Sequence, residues 1–518
     1  MATYRPSAGP EAIQALTGFI NTDTLLDLAR QFSVTYINLA RASTEHFLVT
    51  PVTALPTGKE KGKFLSIDVG GTNLRVGFVE LLGDLDEVTL DRQEKDQGEN
   101  VFAKIKRSHD RNWPIKHHLK MDKAEDLFAW IADCIAEVVR EAVATASEPE
   151  PLGHDILLGI TFSFPMAQTS LSEATLLPMG KGFAITSDLN LGKMLLAGYA
   201  RHCEGSTTSR LPRLRVAAIT NDTVATFASL AYAVKAAPNS RVAMGLIVGT
   251  GTNATVPMKL DSLHPAKREE IPNRDAVETV VINTEWTIRG TDKPLIDMDI
   301  KTEWDLALDA NSDAPGFQPF EYMTAGRYLG EIVRLVYQDA ASQDAEDLPT
   351  SLQAQNALPT RFLSEVMARL ELEETKEELE QKYPSASSTP YWTSDRVELL
   401  RSIAQAVQKR SSALIAAACI GLLNAVQDIH LDGPSQDGPV NNGTTSSAQP
   451  SSEELVIAYA GGTISQYPQW LETCQHWINT LVATGSKANA SKRVILREAL
   501  DGGIIGAGVL AGMTDQMA

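Results

Sequence analysis

The chain contains few of the residues that mark disulfide-rich, metal-binding or nucleic-acid-binding proteins. Its four cysteines (Cys134, Cys203, Cys419 and Cys474) lie far apart and match no metal-binding spacing, so we expect reduced thiols in a cytoplasmic protein. Lys and Arg number 46 against 65 Asp and Glu, which gives a net charge of −19. This excess of negative charge argues against binding to nucleic acids or to anionic membranes, because both require basic surfaces.

Long hydrophobic runs are also absent. The N-terminus has no apolar stretch of signal-peptide length, so we expect no secretion. The longest apolar run, at residues 413–425, is too short to span a bilayer and is predicted to form a buried helix. With 518 residues, of which 43% are hydrophobic, the chain is long and apolar enough for more than one globular domain.

Two common nucleotide-binding motifs are missing as well. No Gly-x-x-x-x-Gly-Lys-Ser/Thr motif occurs, which excludes a P-loop nucleoside triphosphatase. Residues 249–251 read Gly-Thr-Gly but do not continue as the dinucleotide-binding fingerprint, which argues against a Rossmann oxidoreductase. A bound nucleotide would therefore need a different kind of glycine turn.

Such a turn is present at residues 70–73, which read Gly-Gly-Thr-Asn. It joins an apolar strand predicted at residues 64–69 to a second strand predicted at residues 76–81. Its backbone N–H groups can hold a phosphate, and Asp68 at its rim can hold Mg²⁺ through water. An isolated Gly-Gly pair is more often an ordinary hairpin turn, so this motif alone decides nothing.

Two similar turns occur further along the chain. An apolar strand predicted at residues 242–248 leads into Gly249-Thr250-Gly251, and another at residues 455–458 leads to Gly461-Gly462-Thr463. The pattern indicates a nucleotide, such as ATP, that is held between glycine turns from two separate lobes.

The predicted elements follow an α/β order in two lobes. The predicted strands lie at residues 64–69, 76–81, 88–90, 157–162, 214–220, 242–248, 279–282 and 455–458. The predicted helices lie within residues 11–50 and at residues 127–139, 324–337 and 396–426. Residues 349–390 are predicted to form surface helix and loop, and residues 432–454 are too polar to order themselves and are predicted to form a flexible surface insertion.

Several polar side chains follow these strands and could take part in chemistry. Asp222 follows the strand at 214–220 and could accept a proton from a hydroxyl, although on spacing alone a turn or helix cap is the more frequent role. Lys181 lies in a glycine-flanked loop and could reach a phosphoryl group, but a solvated surface lysine is again more frequent. Glu285 and Glu321 could bind sugar hydroxyls, and Glu321 could instead stabilise the start of the helix that follows it.

Taken in order, these motifs resemble those of the hexokinase family from about residue 50 to the C-terminus. The first phosphate motif is similar to residues 55–60 and to Asp-Val-Gly-Gly-Thr-Asn-Leu-Arg at residues 68–75. The sugar-binding and later motifs are similar to residues 158–165, 176–183, 221–224, 246–254, 283–286 and 317–331. The agreement of so many motifs in one order makes a chance resemblance negligible.

The sequence departs from the family pattern at a few positions. Most members have Trp-Thr-Lys-Gly where this chain has Met179-Gly180-Lys181-Gly182, so a sugar-contacting threonine is missing. The adenosine motif reads Ala460-Gly461-Gly462 instead of Asp-Gly-Ser. With residues 317–329, these departures resemble the divergent fungal N-acetylglucosamine kinases of the family.

The resemblance implies an α/β protein with the two-lobed, actin-like ATPase fold of hexokinases, in which the active site lies in a cleft between a small and a large domain. The implied divisions are an N-terminal helical segment at residues 1–59 that packs on the large domain, a small domain at 60–216, a large domain at 217–500, and a C-terminal helix at 501–518 that returns to the small domain.

The resemblance also implies the roles of individual residues. Asp222 would be the general base, Lys181 would neutralise charge on the transferring phosphoryl group, and Asp68 would hold Mg²⁺ through water. The sugar would be bound by Ser163, Lys181, Asn221, Asp222, Asn253, Glu285, Gln318 and Glu321. ATP would be bound by Asp68, Gly70, Gly71, Thr72, Asn73, Arg75, Gly249, Thr250, Gly461, Gly462 and Thr463.

The predicted reaction is the ATP- and Mg²⁺-dependent phosphorylation of a sugar 6-hydroxyl, with N-acetylglucosamine as the preferred substrate. The two alternatives are a hexokinase that acts on glucose or another hexose and a catalytically inactive, hexokinase-like regulator. We expect a monomer or weak homodimer in the cytoplasm that binds the sugar and ATP and binds neither nucleic acid nor membrane.

Overall fold

The structure is a computed structural model that describes residues 8–83, 103–116, 118–119, 124–145, 155–163, 166–176, 189–203, 211–234, 239–341, 348–385, 390–433 and 453–517. Three predicted features lie outside these residues: the strand at 88–90, the loop that carries Lys181, and most of the insertion at 432–454.

The described residues form a mixed set of strands and helices. The strands are β1 Leu48–Val49, β2 Lys61–Val69, β3 Asn73–Leu82, β4 Ile105–Pro114, β5 Asp155–Phe162, β6 Met166–Ser170, β7 Glu173–Leu176, β8 Leu189–Asn190, β9 Arg213–Thr220, β10 Ser240–Val248, β11 Thr252–Lys259, β12 Thr279–Asn283, β13 Glu453–Ala460 and β14 Lys492–Glu498. The α-helices are Ala8–Thr17, Thr22–Ala42, Ala124–Thr145, Leu191–Cys203, Asp222–Val234, Pro265–Glu269, Lys293–Asp297, Glu303–Ala310, Pro319–Thr324, Gly326–Ala340, Thr350–Gln353, Thr360–Phe362, Leu372–Lys382, Ser394–Ala425, Gly462–Gln466, Trp470–Gly485 and Gly502–Met517. A π-helical turn, Leu363–Met367, follows Thr360–Phe362.

The two large sheets share one pattern of strand order and direction. The first sheet has the order β4-β3-β2-β5-β9, in which β2, β3 and β4 are antiparallel while β5 and β9 run parallel to β2. The second sheet has the order β1-β12-β11-β10-β13-β14, in which β10, β11 and β12 are antiparallel while β13 and β14 run parallel to β10. The glycine turns after β2 and after β10 therefore occupy equivalent positions, at the carboxyl ends of parallel strands, where α/β proteins bind ligands. A small third sheet has the order β6-β7-β8.

The C-terminal helix Gly502–Met517 packs against the first sheet and against the helix Asp222–Val234. Glycines make this contact close, because a Cβ at Gly159 of β5 would lie 2.1 Å from the carbonyl oxygen of Ala507. The end of the chain is thereby connected to β2 and β5, and the helix begins at Gly502. The domain boundaries at 59/60 and 216/217 stay predictions.

The N-terminal helix Thr22–Ala42 packs against the long helix Ser394–Ala425. β1 then pairs with β12 at the edge of the second sheet. Ser394–Ala425 is, among the residues that the structure describes, the helix long and apolar enough to cross a membrane, but 94% of its apolar window is buried inside the protein, as in a core helix. This burial agrees with the buried helix predicted from residues 413–425.

The prediction of surface helix and loop at residues 349–390 is wrong for the apolar side chains of that region. Leu352, Leu363 and Leu379 are fully buried and belong to the same core as the N-terminal helices. They lie on several short helices and a π-helical turn, so their spacing in the sequence shows no single period. The charged residues of Leu372–Lys382 explain the polar composition that suggested a surface segment.

Candidate functional site

The first glycine turn is open on one side. The N–H of Gly70 donates to the carbonyl of Asn73 at 3.0 Å, and the N–H of Ile115 donates to the carbonyl of Thr72 at 2.8 Å, so the turn is held from β3 and from the end of β4. Gly71 and Thr72 are exposed, and a Cβ built at Gly71 would meet nothing within 4 Å. The turn therefore has space beside its backbone for a phosphate.

Asp68 lies just before this turn, at the carboxyl end of β2. Its Oδ2 lies 3.6 Å from the guanidinium of Arg75, which lies on the paired position of β3 and also 3.7 Å from Asp501. A Cβ at Gly503 would lie 2.4 Å from Asp68 Oδ2, so the C-terminal helix begins directly against this carboxylate. Gly503 is the residue that permits this approach.

Other carboxylates lie close enough to Asp68 to change its pKa. Burial raises the pKa of Asp68 to about 6, Arg75 opposes this shift, and the negative charges of Asp222 and Asp501 add to it. Asp68 and Asp222 therefore lie close enough for their charges to interact. Above pH 6, Asp68 is ionised and can bind a hydrated cation.

The donor set around Asp68 fits Mg²⁺ that is held through water and shared with bound phosphates. Among the described residues, no group of three or more His, Cys, Asp and Glu side chains is placed to hold a metal ion by itself. Mg²⁺ commonly keeps several waters and uses one or two carboxylates together with substrate phosphates. Asp68 beside the open turn at Gly71 matches this second arrangement.

Asp68→Asn is expected to raise the thermal midpoint of the ligand-free protein at pH 8 by roughly 1–3 °C. The pKa of Asp68 rises from an ordinary 3.8 to about 6 on folding, so the folded state holds this proton more tightly. The resulting stability is fully present below about pH 4 and is lost as the pH rises through 6, whereas asparagine stays neutral. Calorimetry should show a gain at pH 4.5 that is about half or less of the gain at pH 8, and equal gains would contradict the raised pKa.

Asp222 is the first residue of the helix Asp222–Val234, directly after β9. The side chain that caps this helix belongs to Asn221, whose Oδ1 accepts from the N–H of Val224 at 2.8 Å and from the hydroxyl of Thr223 at 3.0 Å. Asn221 is therefore the residue that caps this helix, and Asp222 adds a local bond in which its Oδ1 accepts from the N–H of Thr223 at 2.9 Å. Asn221 is also predicted to bind the sugar. Because its oxygen accepts the bonds of the cap, it would bind a sugar hydroxyl through its amide NH₂ group.

On the second sheet, two amides and a carboxylate form a hydrogen-bonded wall where β11 and β12 meet. The Nδ2 of Asn253 donates to Asn283 Oδ1 at 2.7 Å, and the Nδ2 of Asn283 donates to Glu285 Oε1 at 2.7 Å. Glu285 has a φ of 47°, a conformation that non-glycine residues adopt at a cost. Asn283 was not predicted as a site residue, although its place before Glu285 at a strand end is a signal of the same kind.

Glu321 joins this wall to the second glycine turn. It is 2% exposed, and its Oε2 accepts from the N–H of Thr252 at 3.0 Å. Glu321 therefore lies in the first turn of Pro319–Thr324 and also binds the start of β11, a distant segment of the chain. Behind Glu285 and Glu321, the fully buried rings of Trp286 and Phe320 pack edge to face with centroids 5.9 Å apart.

The second and third glycine turns contact each other through the carbonyl of Gly249. This oxygen accepts from Thr463 Oγ1 at 3.0 Å and from the N–H of Gly326 at 2.7 Å. Gly461 has a φ of 123°, and a Cβ there would lie 2.4 Å from the carbonyl oxygen of Val248. The helix Gly326–Ala340 thus begins at these turns, and Gly326 is a further contact that the sequence prediction did not name.

The structure brings most of the predicted residues to the carboxyl ends of the two sheets. Ser163 directly follows β5, and its N–H donates to the carbonyl of Val69 at 3.0 Å. Half-buried Gln318 directly precedes the helix of Glu321. Lys181 lies outside the described residues, so its role stays a prediction. The predicted residues that lie at or next to these strand ends are Asp68, Gly70, Gly71, Thr72, Asn73, Arg75 and Ser163 from the first sheet, Asn221 and Asp222 from the start of the helix after it, and Gly249, Thr250, Asn253, Glu285, Gln318, Glu321, Gly461, Gly462 and Thr463 from the second.

Comparison with known proteins agrees with this arrangement. Two family models, both described as hexokinase, match residues 16–232 and 243–513. Among curated proteins, hexokinase-2 of Solanum tuberosum is 32% identical over 90% of this chain and 82% of its own length. Hexokinase-1 of Nicotiana tabacum is 31% identical over 90% of this chain and 82% of its own length.

Solved structures show the same likeness. A hexokinase from Schistosoma mansoni, complexed with glucose, aligns with a TM-score of 0.73 and 25% identity over 98% of this chain and 99% of its own. Another hexokinase crystal structure aligns with a TM-score of 0.69 and 23% identity over 98% of this chain and all (100%) of its own, a likeness of fold.

These likenesses confirm the predicted α/β class and the two-lobed, actin-like ATPase fold. They do not support a specific resemblance to fungal N-acetylglucosamine kinases, since the similar curated relatives include hexokinases of plants. The family itself is shown by the models that match both halves of the sequence. The chain belongs to the hexokinase family.

Proposed function

We propose that the chain is a hexose kinase that transfers the γ-phosphoryl group of ATP to the 6-hydroxyl of its sugar. The observation that carries this proposal is the position of Asp222 and Asp68, two carboxylates close enough to influence each other's charge, beside the open turn at Gly71. One carboxylate can act on the sugar hydroxyl while the other acts on the cation that accompanies the phosphates.

Asp222 would accept the proton of the sugar hydroxyl as the new oxygen–phosphorus bond forms. The bond between the γ-phosphorus and its bridging oxygen breaks in the same transfer, and ADP leaves with that oxygen. Catalysis of this reaction consists mainly of positioning and of stabilising charge. The chain Asn253–Asn283–Glu285 and the buried Glu321 would position the sugar through its other hydroxyls.

The phosphates need local positive partners because the protein carries a net charge of −19. Backbone N–H groups of the turns at Gly71 and Thr250 would supply some of these, and Lys181 would supply an ammonium. Mg²⁺, when bound with ATP, would neutralise phosphate charge, and Asp68 would hold it through water.

The sugar we favour is a neutral hexose such as glucose, because the chain's relatives are named hexokinases and the similar Schistosoma mansoni hexokinase was solved with glucose. N-acetylglucosamine remains the narrower hypothesis, and it requires that Gly180 or the loop at residues 316–318 leave space for the acetamido group next to the sugar. The two hypotheses share one reaction and differ only in the group at the sugar's second carbon.

A coupled assay of kcat/KM for glucose, mannose and N-acetylglucosamine with Mg²⁺-ATP tests the proposal and separates these sugars. We expect glucose to be phosphorylated with at least about tenfold higher kcat/KM than N-acetylglucosamine, the discrimination that one misfitting substituent commonly gives. The reverse order would restore N-acetylglucosamine. Detectable sugar binding without turnover of any of them would instead favour the inactive, regulatory alternative.

A further inference from the structure

A buried ammonium outside the cleft connects the N-terminal part of the chain to the sugar-binding wall. Lys267 is 2% exposed, and its Nζ donates to the carbonyl oxygens of Ala40 at 3.2 Å and His46 at 2.6 Å. The carbonyl of Ala40 also accepts from the N–H of His264 at 2.8 Å. Because an ammonium is costly to bury, its hydrogen bonds fix the position of the segment that ends the helix Thr22–Ala42.

His46 continues this network toward the cleft. It is 4% exposed, its Nδ1 lies 2.8 Å from Ser43 Oγ, and its Nε2 lies 3.0 Å from the carbonyl oxygen of Arg289. Burial lowers the pKa of His46, so the ring is neutral at pH 7. The carbonyl can only accept, so the proton is on Nε2, and Nδ1 accepts from the Ser43 hydroxyl.

His46 and the residue after it hold both stretches of chain that carry the sugar-binding residues. The N–H of Phe47 donates to the carbonyl of Thr284 at 2.9 Å, between Asn283 and Glu285. The N–H of Arg289, whose carbonyl His46 binds, donates to the carbonyl of Phe317 at 2.9 Å, directly before Gln318.

Aromatic packing follows the same path. The ring of Phe47 lies 5.8 Å from that of Tyr36, which stacks 6.4 Å from Trp286, the residue after Glu285. Phe47 itself has a φ of 51°, so the backbone is held in a left-handed conformation between His46 and β1. Glu285, with a φ of 47°, directly follows Thr284, whose carbonyl binds Phe47.

We infer that His46 and Lys267 are positioning residues for sugar binding, which hold the stretches around Glu285 and Gln318 at the spacing that the sugar hydroxyls require. This inference rests on the proposed function. The hydrogen bonds of the two side chains go to Ser43 and to the backbone carbonyls of Ala40, His46 and Arg289, so each side chain acts on the sugar-binding stretches through the backbone. Their effect should therefore fall on sugar affinity and leave the nucleotide turns unchanged.

Two variants of His46 test the inference. His46→Leu removes the donor to Arg289 and should raise the Kd and KM for the hexose about tenfold or more, the effect of one lost buried hydrogen bond on a binding wall. The KM for ATP should stay within about twofold. His46→Gln keeps an N–H donor at similar reach and should keep the hexose Kd within about threefold of the parent protein.

Lys267→Met provides an independent variant, because it keeps the approximate length of the side chain and removes the ammonium with its donors. It should raise the hexose Kd in the same direction as His46→Leu. The matched control is Asn489→Leu, which removes an equally buried polar group that binds His430 and Val482 away from the cleft. The control should lower the thermal midpoint and leave the hexose Kd unchanged.

Calorimetric titration with glucose gives the hexose Kd, and a separate turnover assay gives phosphoryl transfer. Together the two measurements distinguish a failure of the proposed reaction from a failure of the positioning role. Parent protein that binds glucose but transfers no phosphate overturns the proposed reaction, while the variants' Kd values still decide the positioning role. Unchanged hexose Kd in both His46→Leu and Lys267→Met, or equal rises in hexose and ATP constants, overturns the positioning role alone. Parent protein that binds no hexose overturns both.

Discussion

Asp222→Ala is expected to lower kcat for hexose phosphorylation by at least about 10²-fold, the low end of what a positioned general base contributes. The structure places Asp222 at the start of a buried helix whose cap is Asn221, so the helix keeps its cap when the carboxylate is removed. The KM for ATP should change by less than about threefold, because Asp222 acts on the sugar hydroxyl in the transition state and is not among the residues predicted to bind ATP. Steady-state kinetics and the thermal midpoint, measured on the same preparation, check the prediction.

A matched control comes from another helix. Asp395 lies in the first turn of Ser394–Ala425, so Asp395→Ala removes a carboxylate of the same type from a comparable position. Its dipole contribution is worth about 0.3–1 kcal/mol to stability, and its kcat should match the parent. An Asp222→Ala protein with near-normal turnover would show that another group accepts the proton.

The glycine turns and their strands were predictable from the sequence because their signals are local. A run of strand formers ending in Gly-Gly-Thr or Gly-Thr-Gly specifies its own geometry within a few residues, and β2, β3, β10 and β13 lie where predicted to within a few residues. The capping role of Asn221 is similarly local, but choosing between Asn221 and Asp222 required the hydrogen bonds themselves.

Contacts between distant segments could not be predicted in this way. The approach of Gly503 to Asp68 joins residues more than 400 positions apart, and nothing near either residue in the sequence specifies it. The bonds of Lys267 to Ala40 and His46 likewise depend on how a helix end, a strand edge and a loop pack together. A lysine in a charged stretch reads as a surface residue, and only the fold shows that it is buried.

The prediction for residues 349–390 was wrong for a related reason. Each short helix there buries one or two apolar residues, so the sum of small contributions creates a core without a periodic pattern. The same core contains the buried middle of Ser394–Ala425, which includes the charged residue Arg410. No local pattern in the sequence predicts the burial of this arginine.

Arg410→Met is expected to destabilise the protein by about 3–5 kcal/mol, the usual cost of breaking a buried ion pair. Arg410 is fully buried, and its guanidinium donates to both carboxylate oxygens of Asp305 at 2.7 and 2.8 Å. Asp305 also accepts from the N–H of Thr302 at 2.8 Å in a capping box at the start of Glu303–Ala310. Removing the guanidinium leaves this carboxylate buried with its charge uncompensated.

Differential scanning calorimetry should show this loss as a fall in the thermal midpoint of several degrees. The exposed pair Lys293–Asp297, at 2.5 Å with side chains 64% and 44% exposed, provides the control. Lys293→Met should cost about 0–1 kcal/mol, because solvent already screens that charge. The double variant Arg410→Met/Asp305→Leu should recover at least half of the loss, since replacing both partners of a buried pair by apolar residues is often neutral. A double variant as unstable as Arg410→Met alone would show that the cost comes from packing of the long helix and not from the uncompensated charge of Asp305.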